Sequence, residues 1–99
     1  MTSLTGQEHA ITFTEIDLVN DEFYNILTLC IGKTYEEALT FFNQVKESYP
    51  KHEGEPEIVI DFIDNDWSII NDYPLSKENA RHLAQRMGHV LIFKSDGNR

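Results

Sequence analysis

Two stretches of the chain carry apolar side chains three or four residues apart, the spacing of an amphipathic helix. In the first, residues 34–48, Thr34 and Glu37 form a capping-box pattern that marks the helix start. The second is expected to begin at Ser76, a favourable N-cap residue, and to end before Gly88. The apolar stripes are Tyr35, Ala38, Phe41, Phe42, Val45 and Tyr49 in the first helix, and Ala80, Leu83, Ala84 and Met87 in the second. The sequence therefore predicts two helices that each bury one face.

Four other stretches are rich in β-branched and aromatic residues, and we expect each to form a strand. They are residues 9–18, 57–63, 67–73 and 89–94. Asp64, Asn65 and Asp66 have the composition of a turn, which predicts a hairpin over residues 57–73. Pro74 is expected to end the second strand of that hairpin.

Residues 23–31 fit either a strand or a helix. As a strand, they present apolar side chains on both faces, which is typical of a central strand covered on both sides. As a helix, they form an apolar stripe between a start at residues 20–22 and an end at Gly32. We favour the strand, because aromatic and β-branched residues are frequent and Asn20–Asp21 suits a hairpin turn.

The element order ββαββαβ predicts a single α+β domain over residues 9–94, between flexible tails at residues 1–8 and 95–99. We expect a mixed or antiparallel sheet of about five strands, with the two helices packed mainly on one face. Without its first strand, the order is that of a ferredoxin-like fold. In that fold, however, the first strand of the repeat is central and has no room for a hairpin partner. The order of the strands in the sheet therefore stays open.

The chain is 99 residues long, enough for one hydrophobic core, and its formal net charge is −9. Residues 1–76 hold three basic against fifteen acidic side chains, whereas residues 77–99 hold five basic against two acidic. Such a molecule repels nucleic acid and anionic membranes and attracts basic protein surfaces. Solubility alone also accounts for an acidic surface.

The expected location is the cytoplasm. No stretch has the length and apolar character of a membrane-spanning helix, and the first eight residues lack the basic and apolar regions of a secretory signal. The single cysteine, Cys30, cannot form an internal disulfide, and we expect it to be a small core residue.

The most visible chemical feature is a group of aspartates around the predicted hairpin, Asp61, Asp64, Asp66 and Asp72. Against the pattern of a calcium loop that starts at Asp64, Ile69 replaces the turn glycine and Leu75 replaces the bidentate glutamate. No metal site is therefore expected. Asp61 lies in an otherwise apolar strand, where burial raises a carboxyl pKa, but an isolated carboxylate defines no reaction.

Other catalytic patterns are incomplete. The four histidines lack a metal-binding spacing, and Gly32-Lys33-Thr34 lacks the upstream glycine of a phosphate-binding loop. Lys77, Arg81 and Arg86 are too few to indicate a nucleic-acid interface and are expected to form a solvated helix face. We therefore expect no enzymatic activity, no cofactor and no direct contact with nucleic acid or membrane.

The leading hypothesis is a small acidic protein-binding domain, an inhibitor, immunity or antitoxin-like protein that docks on a basic, nucleic-acid-handling partner. Carboxylates would speed the encounter and aromatic side chains would anchor the complex. The candidate partner-binding residues are Asp61, Asp64, Asp66, Trp67, Asp72 and Tyr73. The size and charge match those of immunity proteins and nucleic-acid mimics, but no motif of such a family is present. The alternatives are a structural or adaptor homodimer and a small-ligand or metal-binding regulatory module.

Overall fold

A computed structural model describes residues 8–94, which fold into one antiparallel sheet and two helices. In chain order the elements are β1 (His9–Asp17), β2 (Glu22–Gly32), α1 (Tyr35–Ser48), β3 (Ile58–Ile63), β4 (Ile69–Leu75) and α2 (Lys77–Arg86). The strand order in the sheet is β2-β1-β3-β4. The predicted α+β class is confirmed, but the sheet has four strands rather than about five. The predicted tails lie outside the described residues, apart from Glu8.

The first hairpin, β1–β2, settles the ambiguity over residues 23–31 in favour of a strand. Asp17 shapes its turn, because its Oδ1 accepts hydrogen bonds from the backbone N–H groups of Val19 and Asn20, both at 3.1 Å. Asp21 completes the turn in the left-handed region, with φ of 55°. The position of β2 differs from the expectation for a strand with two apolar faces, because β2 is an edge strand and β1 is central.

Two bulges explain why the sequence of β2 is hard to interpret. Phe13 pairs with Leu27 while Thr14 pairs with Asn25, which leaves Ile26 as an extra residue in β2. A second shift, between His9 and Ala10, leaves Ile31 as an extra residue in the same way. Each bulge interrupts the two-residue alternation of a regular strand. Both isoleucines pack against the core, so the apolar spacing imitates that of a helix.

Both helices cover the same face of the sheet, as predicted. The sheet side of the core consists of Ile11, Phe13, Ile58, Ile60, Phe62, Tyr73 and Leu75. The helices contribute Ala38, Phe42, Val45, Ala80, Leu83 and Ala84, with Tyr49 at the end of α1. Thr12, Thr14 and Asp61 alternate with these strand residues and therefore lie on the opposite face, which we call the open face.

The helix ends follow the sequence signals. The Thr34 hydroxyl accepts a hydrogen bond from the Glu37 N–H at 3.2 Å, and the Ser76 hydroxyl accepts one from the Asn79 N–H at 3.1 Å. The Glu37 carboxylate accepts from the backbone N–H of Lys33 at 3.1 Å, one residue before the position in a standard capping box. None of the helices within residues 8–94 is long and apolar enough to span a membrane.

Two predictions about the strands are wrong, one about where a strand ends and one about whether a strand forms. β4 continues through Pro74, which is tolerated because β4 is an edge strand that needs no N–H on its outer side. Residues 89–94 form no strand, although Leu91 and Phe93 are buried and their neighbours are exposed. The alternation arises because Leu91 and Phe93 anchor this segment to the core, without pairing to the sheet.

Phe93, near the end of this segment, should contribute strongly to the stability of the fold although it lies in no helix or strand. Phe93 is fully buried, whereas Ile92 beside it is 70% exposed. We expect Phe93→Ala to lower the free energy of unfolding by about 3 kcal/mol, because it leaves a cavity in the core. In dilute solution, the matched control Ile92→Ala should change it by less than about 0.5 kcal/mol. Urea unfolding measures both values, and equal effects would contradict the anchoring role of Phe93.

Candidate functional site

The turn between β3 and β4 is organised by Asp64. Its Oδ1 accepts hydrogen bonds from the backbone N–H groups of Asp66, at 2.9 Å, and Ser68, at 3.0 Å. Its own backbone carbonyl accepts from the Trp67 N–H at 3.0 Å, and its N–H donates to the Ser68 carbonyl at 3.1 Å. The role of Asp64 is therefore to fix the shape of the turn, in addition to adding charge.

Trp67 is held in a backbone conformation that bulky residues rarely adopt. Its φ of 65° lies in the left-handed region, which is energetically unfavourable for residues with a side chain. The side chain is 36% exposed, and it is followed at the start of β4 by Ile69, which is 61% exposed, and Ile70. Strained backbone of this kind is concentrated at functional sites. The turn thus presents three exposed apolar side chains within four residues.

This apolar patch lies in an acidic part of the chain. Residues 54–76 contain six Asp and Glu side chains and no Lys, Arg or His. Asp66 and Asp72 are exposed, while Asp61 and Asp64 are half-buried. We call the following set the hairpin surface: Asp61, Asp64, Asp66, Trp67, Ile69, Ile70 and Asp72. It combines three exposed apolar side chains with four carboxylates and no basic residue, and so carries a negative potential.

Asp61 carries the clearest electrostatic perturbation of the hairpin surface. It lies on the open face, directly opposite Asp72 of the neighbouring strand, and accepts a hydrogen bond from the Thr14 hydroxyl at 2.9 Å. Burial raises the pKa of its carboxyl group and the Asp72 charge raises it further, while the Thr14 hydrogen bond opposes the shift. A cation placed beside Asp61 and Asp72 would favour the ionised form and lower this pKa.

Tyr73 is separated from the other predicted partner-binding residues. Its side chain is buried on the helix side of the sheet, and its hydroxyl donates to the Tyr49 carbonyl at 2.8 Å. The hydrogen bond ties β4 to the end of α1. The structure brings the other five predicted residues together around one hairpin, and it adds Ile69 and Ile70, whose exposure no sequence signal revealed.

The outer edge of β4 is partly blocked against pairing with another strand. The Asp72 N–H donates to the Asn71 side-chain oxygen at 2.8 Å, and the Pro74 carbonyl accepts from the His52 N–H at 3.1 Å. Pro74 itself has no N–H. Ile70 is also an extra residue relative to β3, since Phe62 pairs with Asn71 and Ile63 with Ile69. This edge is therefore poorly suited to pairing with a strand of another molecule.

Cys30 is not a core residue, contrary to the prediction. It is exposed on edge strand β2, with its Sγ 3.6 Å from Glu8 Oε2. Partial burial of the sulfur raises the pKa of the thiol, and the Glu8 carboxylate adds to this shift. The thiol is therefore not activated as a nucleophile. Within residues 8–94, no group of three or more His, Cys, Asp or Glu side chains is arranged to hold a metal ion.

A cleft of about 780 Å³ lies at the opposite end of the sheet from the hairpin surface. Its lining includes four carboxylates, on Glu15, Asp17, Glu55 and Glu57, and two ammonium groups, on Lys77 and Lys94. The cleft is wide and its charge is mixed, so it favours no particular class of ligand.

Comparison of the chain with protein-family models, with curated proteins and with solved structures gives no match. Function therefore has to be inferred from the geometry of the site alone.

The backbone strain at Trp67 can be measured by comparing two substitutions. Glycine adopts positive φ without the steric penalty of about 1–2 kcal/mol that other residues incur. We therefore expect Trp67→Gly to be more stable than Trp67→Ala, by about 1 kcal/mol in chemical unfolding, after allowing for the greater freedom of glycine in the unfolded chain. The reverse order, which is usual in strands and helices, would contradict a left-handed Trp67.

The raised pKa of Asp61 predicts how stability depends on pH. Because the folded-state pKa exceeds the unfolded value near 3.8, ionisation of Asp61 opposes folding. This destabilisation is absent below the unfolded pKa and is fully present once the pH has risen through the folded pKa.

Asp61→Asn should therefore raise the free energy of unfolding at neutral pH, by up to about 1 kcal/mol for this half-exposed group, and should have no such effect near pH 3. Asp66→Asn removes the same charge at an exposed position and is the control for the effect of charge on the free energy of unfolding. A loss of stability in Asp61→Asn at neutral pH would contradict the assignment.

Proposed function

We propose that this chain is a small acidic protein-binding domain that inhibits a basic, nucleic-acid-handling protein by docking the hairpin surface on its nucleic-acid groove. The observation that carries the proposal is the exposed Trp67, fixed in a left-handed conformation by the Asp64 turn and set in a charged stretch without a single basic residue.

The hairpin surface has the two components of a tight protein interface. Tryptophan is among the residues that most often dominate binding energy, and Ile69 and Ile70, which follow Trp67 closely in the chain and are exposed, would add apolar contact area. The surrounding carboxylates attract a positive groove before contact and so raise the association rate. A groove that binds phosphates would supply that positive charge, and occupying it would block nucleic acid.

Asp61 and Asp72 form a site at which a positively charged side chain of the partner can bind. The two carboxylates face each other across the β3–β4 pair, with the Thr14 hydroxyl on Asp61. A partner lysine or arginine beside them relieves both the mutual repulsion and the burial of an ionised group. Because that cation lowers the pKa of Asp61, binding is linked to loss of a proton, and affinity should fall as the solution is acidified.

The test is affinity capture from a lysate of the native cell on the immobilised full-length chain, at low and then raised salt. We expect a basic protein that salt releases and whose nucleic-acid activity the chain inhibits. In a titration with that protein, Trp67→Ala should lower the affinity on the order of 30-fold, as expected for a central anchor. The double reversal Asp66→Lys with Asp72→Lys should slow association and weaken its salt dependence.

The control is Glu47→Lys, which makes the charge change of one of these two reversals at an exposed position of α1, in the helix layer. It should bind the captured protein within about threefold of the unmodified chain, the range expected for a surface change outside the interface. Asp64 is left unchanged, because its reversal would remove the hydrogen bonds that shape the turn. Binding that is insensitive to salt and equal for Trp67→Ala and Glu47→Lys would overturn the proposal.

A further inference from the structure

The segment after α2 has the residue pattern of a strand but has no strand partner within residues 8–94. Residues 90–93 alternate between exposed Val90 and Ile92 and buried Leu91 and Phe93. Their backbone groups make no hydrogen bond within residues 8–94, although the flanking N–H groups of His89 and Lys94 do. A segment fixed by two buried anchors, whose N–H and C=O groups have no partner within residues 8–94, can accept another strand.

The exposed side of this segment is apolar to an unusual degree for a surface. Val90 is 82% exposed, and both Val90 and Ile92 are β-branched residues that favour strands. No charged side chain occurs from Met87 to Phe93, in a chain that carries a net charge of −9. Edge strands that are protected from pairing usually carry charges, prolines or bulges, as β4 and β2 do here. Residues 90–93 have none of these protections.

We propose that residues 89–93 pair with the same residues of a second copy of this chain, antiparallel and about a two-fold axis at Leu91. The sequence supports this occupant because the same kind of residue stands on either side of Leu91. Val90 and Ile92 are both β-branched and both exposed. Antiparallel pairing centred on Leu91 therefore sets Val90 of one copy against Ile92 of the other, twice.

The symmetry also explains why the contact closes as a dimer. An isologous contact uses the same surface on both copies and leaves no second copy of that surface exposed. The two sheet edges are already bulged or blocked and do not extend the assembly further. The segment is separate from the hairpin surface, so dimerisation adds to the proposed function without depending on it.

The test is the mass of the full-length chain in solution, measured by sedimentation over a range of concentrations. We expect the mass to approach twice that of one chain as the concentration rises. The double variant Val90→Lys with Ile92→Lys should stay monomeric, because like charges then face each other in both cross-strand pairs. Val19→Lys is the matched control, since Val19 is 93% exposed in the β1–β2 turn, and it should dimerise as the unmodified chain does.

A charge-complementation experiment tests the register and the identity of the occupant. The double variant Val90→Glu with Ile92→Glu should also be monomeric alone. Mixing it with the double lysine variant should restore a dimer that contains one of each, because every Lys then faces a Glu. Both variants should keep the thermal midpoint that the unmodified chain shows at concentrations low enough for it to be monomeric, since the two positions are exposed.

An unmodified chain that stays monomeric at every concentration, or a mixture that stays monomeric, would overturn the proposal. Failure of the dimer proposal is distinguishable from failure of the proposed function of the hairpin surface. Trp67→Ala should leave the dimer intact, and the double lysine variant should still bind the captured basic protein. A different result is that the double lysine variant no longer binds the captured protein while the unmodified chain is monomeric. The segment would then pair with a strand of the partner and not with a second copy.

Discussion

The pairing of β1 with strands on both of its sides is the interaction on which the rest of the structure depends. β1 is buried along most of its length, and its alternate side chains divide the molecule into two faces. Ile11 and Phe13 enter the core between the sheet and the helices, while Thr12 and Thr14 lie on the open face. A one-residue slip of β1 would exchange these sets, placing hydroxyl groups in the core and a phenylalanine on the open face.

The same strand connects the core to the hairpin surface. Thr14 forms a hydrogen bond with Asp61 of β3, and Asp61 in turn faces Asp72 of β4. The electrostatic state of the hairpin surface is thus coupled to the register of the central strand. By contrast, the turn that holds Trp67 is determined locally, by Asp64 and the three residues with which it forms hydrogen bonds.

The parts of the fold that follow from local chemistry could be predicted from the sequence. The caps at Thr34 and Ser76 and the apolar stripes that follow them define both helices, since a side-chain oxygen at the N-cap satisfies a backbone N–H in any context. The residue alternation of β2 is obscured because the bulges at Ile26 and Ile31 each insert one residue into the pattern. The segment after α2 was predicted as a strand because burial of Leu91 and Phe93 produces the same alternation, whether or not another strand is present.

The candidate site could be predicted only in part, for a related reason. The charge and the aromatic residue are visible in the sequence, but the direction of a side chain is not. Tyr73 and Asp72 are adjacent, yet one faces the core and the other faces solvent. The exposure of Ile69 and Ile70 arises because β4 is an edge strand with a bulge, and both facts depend on which strands pair.

The hydrogen bonds of Asp64 have a consequence for the entropy of the association that we propose. A flexible loop that becomes ordered on binding loses roughly 1–2 kcal/mol per residue in backbone freedom, which subtracts directly from affinity. Here folding has already fixed the backbone from Asp64 to Ser68, through contacts within the turn itself. Binding then has to restrict little more than the side-chain torsions of Trp67. A contact area as small as one hairpin can then retain most of its binding energy, because the restriction of the backbone occurs when the chain folds.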